Sequence, residues 1–220
     1  MPRRLSPLAA LLLVPISLAA QPAPPAVPAI SFEAEAVVAS GVTAQGRVVW
    51  FSVAREIAES AATIVRRERI LADEDGDGAV RFELDRAVPL RSIWVAVDLA
   101  TGAWAAAGPE GYPLQRVDPP GLAARRGAEE ADWVEDTRGY VELMVVRPGV
   151  GAWGLAAGDG GSSDGDGAAD GRLTVPLDRL RGTGLDATAA PERFDPRDLI
   201  FVIDPNEMDF AVRQLSEVAR

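Results

Sequence analysis

The stretch ATIVRRERILADEDGDGAVRFELDR (62–86) decides how this chain folds. Downstream of its aspartates, Val80, Phe82 and Leu84 alternate with Arg81 and Glu83. A period of two is the mark of a strand with one buried face. Upstream, Thr63, Ile64, Val65, Ile70 and Leu71 flank Arg66, Arg67, Glu68 and Arg69. That run fits a helix or a strand. Its β-branched residues favour a strand, with the charged group facing water. Between the two lies an Asp/Gly-rich turn, so the stretch reads strand–loop–strand.

The same pattern continues outward. SFEAEAVV (31–38), RVVWFSVA (47–54) and SIWVAVD (92–98) read as strands, and DLATGAW (98–104) reads as a turn into AWAAA. Strands at this spacing, separated by turn residues, predict an all-β fold, a β-sandwich of the Ig-like class. Residues 108–138 break the pattern with four prolines and a charged run. They read as a connector with one helical turn around Glu129 to Trp133.

Beyond the connector the first half recurs. GRVVWFSV (46–53) matches GYVELMVV (139–146) at an offset of 93, which also puts Leu84-Asp85-Arg86 on Leu177-Asp178-Arg179. After an insertion, IWVAVDLATGAW (93–104) matches LIFVIDPNEMDF (199–210) at an offset of 106. The expected organisation is a first β unit over 30–107 and a second over 139–220, each of about five strands. The two can form one compact body or two tandem sandwiches.

The N-terminus carries a different signal. MPRRLSPLAALLLVPISLAA (1–20) has a basic start, a short apolar run and small residues at its end, as in a secretory leader. A proline-rich spacer follows over 21–29. The expected location is therefore periplasmic or extracellular, with no membrane span in the mature chain.

Composition excludes much chemistry. The 220 residues include no cysteine and no histidine, and all 22 basic residues are arginine. Disulfides, thiolate nucleophiles, the standard Ser-His-Asp triad and lysine Schiff bases are all ruled out. The net charge of −11 argues against nucleic acid, which needs a basic patch, and suits a cation.

DEDGDG places Asp73, Asp75 and Asp77 at alternate positions and Gly78 at the sixth. This resembles the Asp-x-Asp-x-Asp-Gly calcium loops. The resemblance implies carboxylate ligands from the three aspartates and the backbone carbonyl of Ala79. It departs from the EF-hand, whose twelfth position is a bidentate Glu; here that position is Leu84, and the flanks are strands. Glu83 and Asp85, which alternation turns outward together, are the candidates to close the shell, and Asp85 is the one that recurs in the second unit, as Asp178. A looser second loop, DGGSSDGDGAADG (159–171), offers Asp164, Asp166 and Asp170, with Ala168 where the first has Asp75.

The expected function is a non-catalytic structural or binding protein with a calcium-stabilised loop. Its partner would be an unidentified protein or glycan. A carbohydrate-binding module is the alternative, using exposed residues among five tryptophans. A metal-dependent hydrolase ranks third. Trp50, Trp94 and Trp104 are expected in the core, and Trp133 is the expected exposed one.

Overall fold

The computed structural model describes residues 27–58, 61–109, 115–116, 123–124, 130–134, 141–157, 172–176, 180–183, 189–204 and 209–214. Every regular element among them is a strand. The first half holds β1 (Ala29–Phe32), β2 (Ala36–Ser40), β3 (Arg47–Ala58), β4 (Ala61–Ala72), β5 (Ala79–Glu83), β6 (Ser92–Asp98) and β7 (Trp104–Ala107). Then come β8 (Gln115–Arg116), β9 (Ala123–Ala124), β10 (Glu130–Val134), β11 (Val141–Arg147) and β12 (Gly151–Ala157). The chain ends with β13 (Arg172–Pro176), β14 (Arg181–Gly182), β15 (Leu199–Asp204) and β16 (Asp209–Gln214).

These strands form four sheets, in the orders β1-β2-β5, β4-β3-β6-β7, β14-β12-β11-β15-β16-β8 and β13-β10-β9. Neighbours are antiparallel except β8, which runs parallel to β16. The order β1-β2-β5 has a counterpart in β9-β10-β13, and β4-β3-β6-β7 has one in β12-β11-β15-β16. Register follows the same correspondence. Val49 faces Val97, and Glu142 faces Ile203, at offsets of 93 and 106. Val97 in turn faces Trp104, as Ile203 faces Phe210.

The offset of 93 is not continuous across the hairpin. Val49 lies opposite Ile70, whereas Glu142 lies opposite Ala156, which is 86 residues beyond Ile70. The β11–β12 hairpin has seven residues a strand where β3–β4 has twelve. The ungapped match between 46–86 and 139–179 therefore slips at its second strand. The longer chain before β13 restores it.

One core joins the two halves. Val49, Phe51, Ile93 and Val95 of the four-stranded sheet cluster with Met144, Val146, Phe201 and Ile203 of the six-stranded sheet. Trp104 meets Phe201 edge-on at 5.7 Å and Phe210 at 6.2 Å. The opposite face of the four-stranded sheet carries a second cluster. There Trp50, Trp94 and Ala96 pack on Val37, Val80 and Phe82 of the β1-β2-β5 sheet. Burying each such aromatic ring contributes about 2–3 kcal/mol. The central sheet thus has apolar layers on both sides, which is why all seven residues of β6 are buried. The molecule is an all-β sandwich.

Three local expectations change. SFEAEAVV is not one strand: it divides into β1 and β2, which turn at Glu33, whose amide donates to the Ala36 carbonyl at 2.9 Å. The helical turn expected near Glu129 is strand β10, which pairs with β13 along Glu130–Val134 and with β9. That short run has no helical partner face, and a ladder on both flanks satisfies its backbone. Each half also has more than five strands, and the connector contributes β8, β9 and β10.

Candidate metal loop

The 73–78 loop leaves β4 in the central sheet and enters β5 in the outer one, crossing between layers. Two glycines permit its path: Gly76 and Gly78 have φ of 75° and 79°, in the left-handed region. Asp73 is 2% exposed and anchors the turn. Its Oδ1 accepts from the Gly76 amide at 3.0 Å, and its Oδ2 accepts from Gly78 at 3.0 Å and from Gln45 at 3.1 Å. Burial pushes the Asp73 carboxyl up. The amides of Gly78, Gln45 and Gly76, with a hydrogen bond involving Asp75, outweigh it and hold the group below the usual carboxylate range.

Asp75 and Asp77 are exposed. The Asp77 amide donates to Asp75 Oδ1 at 3.4 Å, and the Ala79 amide donates to Asp77 Oδ1 at 2.8 Å. The neighbouring 41–46 loop braces the turn, since Val42 donates to the Gly78 carbonyl at 3.1 Å. That brace has its own buried anchor. Asp98 accepts from the Thr43 amide at 2.9 Å, the Thr43 hydroxyl at 2.6 Å and the Ala100 amide at 2.9 Å.

Asp73, Asp75 and Asp77 each offer an oxygen, and the three oxygens lie within 4.8 Å of one another. Two oxygens bound at 2.3–2.6 Å to one calcium ion are at most about 5 Å apart. The set is therefore spaced to hold a metal ion. It does not fill a shell of six to eight. Glu83 is ion-paired with Arg81, which also binds Glu33 at 2.5 Å. Ala79 opens β5 opposite Ser40. Asp85 lies past the far end of β5, six residues of chain from Ala79. It lines a cleft with Arg69 and Arg86 and is not brought to the three aspartates. Asp164, Asp166 and Asp170 lie outside the described residues.

Three of the tryptophans, Trp50, Trp94 and Trp153, are buried, and Trp104 is packed against the shared core. The Trp133 side chain is outside the described set. Among the described side chains there is no exposed tryptophan row.

Two buried charge sites were not singled out in the sequence. Glu142, fully buried, pairs with Arg66 at 3.3 Å, and Arg66 also binds Glu68 at 2.6 Å. Arg66, expected in solvent, instead reaches across Gly154 into the space between the sheets. Asp198, also fully buried, takes a bidentate pair from Arg147 at 2.7 and 2.9 Å. A lone Glu inside the apolar run VELMVV was the available signal for the first.

Among the described residues, no helix is long and apolar enough to cross a membrane. Comparison with protein-family models, with curated proteins and with solved structures gave no match.

Proposed function

We propose that this protein is an exported, non-catalytic structural or binding module whose 73–78 loop is clamped by calcium. The observation carrying this reading is the convergence of three carboxylate oxygens within 4.8 Å in a loop that ties two layers together. Neutralising that charge relieves mutual repulsion and fixes the layer crossing. Oxygen-only donors favour calcium over softer metals. The incomplete shell leaves positions for water and sets a weak affinity, on the order of 0.1–1 mM. Export is supported by the leader pattern of 1–20, and a non-catalytic role by a chain without histidine, cysteine or lysine. The recurring strand order and register support descent of the two halves from one duplicated unit. The buried tryptophans weigh against the carbohydrate-binding module, and the exposed position of Asp75 and Asp77 weighs against a hydrolase.

Thermal unfolding tests the clamp. With a dissociation constant of about 0.1 mM, about 1 mM calcium adds roughly 1.4 kcal/mol, or about 3–6 °C in Tm over a chelator control. Asp75→Ala removes that shift and Asp164→Ala keeps it. A shift that survives Asp75→Ala refutes the assignment to this loop.

A further inference from the structure

The insertion in the second half supplies a strand that the first half lacks. It follows Leu177-Asp178-Arg179 and contains β14, which pairs antiparallel with β12 through Trp153↔Gly182 and Gly154↔Arg181. The Thr183 amide also donates to the Ala152 carbonyl at 2.9 Å. β12 is the counterpart of β4, and the 86-residue offset puts Ala152 on Arg66 and Gly154 on Glu68. β4, however, ends the central sheet, and β3 is its one strand neighbour among the described residues. The same edge therefore carries a strand in one half and none in the other.

The ladder decides which backbone groups face that edge. The Asp73 amide donates to the Gly46 carbonyl at 2.9 Å. In an antiparallel pair, hydrogen-bonded and non-bonded positions alternate. The β3–β4 register then puts Arg67, Arg69 and Leu71 in bonded positions, and it turns the amides and carbonyls of Arg66, Glu68 and Ile70 away from β3. The other side of β3 agrees, since the Leu99 amide donates to the carbonyl of Arg47 at 2.8 Å. A cleft of about 750 Å³ runs along this edge, between consecutive residues of β4, Arg66 to Arg69, and the chain from Phe82 to Arg86. β5 is itself the end strand of its sheet, so the cleft lies between two strand edges.

A long edge strand with outward ladder groups is a template for another strand. A second copy of β4 does not suit this one. An antiparallel β4–β4 pair centred anywhere from Arg66 to Glu68 sets like charges directly opposite, as Arg67 on Arg67 or Arg66 on Arg69. Nor does charge select the occupant, because Arg66 is paired with Glu68 and Glu142, and Arg67 and Arg86 with Glu56. Recognition falls to the backbone and to the apolar margin, where Leu71 and Leu84 are partly buried against the Trp50 and Phe82 cluster. We infer that the β4 edge binds an extended, uncharged segment of another protein, which joins the central sheet as β14 joins the six-stranded one. Its apolar side chains, at alternate positions, lie toward Leu84. This gives the binding role proposed above a protein partner. It shares no residue with the aspartate loop, so either reading can fail alone.

The test is residue-resolved amide hydrogen exchange of the full chain with a short neutral peptide of alternating threonine and valine, blocked at both ends. Without peptide, the Arg66, Glu68 and Ile70 amides should exchange fast and the Arg67 and Arg69 amides slowly. Saturating peptide should slow the first three by about tenfold or more and leave the other two unchanged. The same peptide with its backbone amides N-methylated keeps its side chains and loses its donors, and it should have no effect. No slowing at those three amides, equal slowing by the methylated peptide, or slowing that appears with rising protein concentration alone overturns the inference. The last result makes a second copy the occupant.

Discussion

Asp98 and Asp195 show how single carboxylates hold loops here. Burial pushes the Asp98 carboxyl up, but hydrogen bonds from Thr43 and Ala100 outweigh that and hold it below the usual carboxylate range. Asp195 is drawn down to about 2 by Arg197, whose side chain and backbone both donate to it. Both groups bind protons more weakly in the fold than in the unfolded chain. Their stabilisation is therefore complete above the unfolded value of about 4 and is lost as pH falls from about 4 to 2. The urea midpoint, followed by circular dichroism, should hold steady from pH 7 to 5 and drop by pH 2.5. An unchanged midpoint at pH 2.5 contradicts this account. The Thr43–Asp98 partnership was not legible in sequence, because the two residues are 55 positions apart and meet only in the fold.

At the scale of elements, alternation made β5 and the β3–β6 pairing legible. The turn between β1 and β2 was missed because Glu33-Ala34-Glu35 contains no glycine or proline to mark it. β10 was missed because five residues are too few for periodicity to separate helix from strand. The loop was read correctly as joining strands, and its three alternate aspartates do converge. Asp85 failed as a closing ligand because β5 carries it away from the loop. The β4–β12 contact depends on a missing side chain. A Cβ at Gly154 would collide with Arg66 Nη2 and lie 2.6 Å from Glu68 Oε2. Gly154→Ala should force the Arg66 and Glu68 side-chain ends to shift, loosen the Arg66–Glu142 pair and cost about 1 kcal/mol in urea unfolding. A cost below about 0.5 kcal/mol, as at an ordinary surface site, contradicts the latch.

Across the whole molecule, the recurring strand order does not produce two independent bodies. Residues of both halves fill one cluster, with Trp104 set against Phe201 and Phe210. The sequence left one body or two open, since an alternating strand does not reveal which sheet covers it. The shared core predicts a single calorimetric unfolding transition, with van't Hoff and calorimetric enthalpies equal. Two resolved transitions contradict it.

The cation clamp is the central claim, because it gives the aspartate loop a role that the packing alone does not. Isothermal calorimetry of the protein with calcium tests it most directly. The account predicts a binding heat with a dissociation constant on the order of 0.1–1 mM, absent in Asp75→Ala. No heat in the unaltered protein at millimolar calcium, or the same heat in Asp75→Ala, contradicts it.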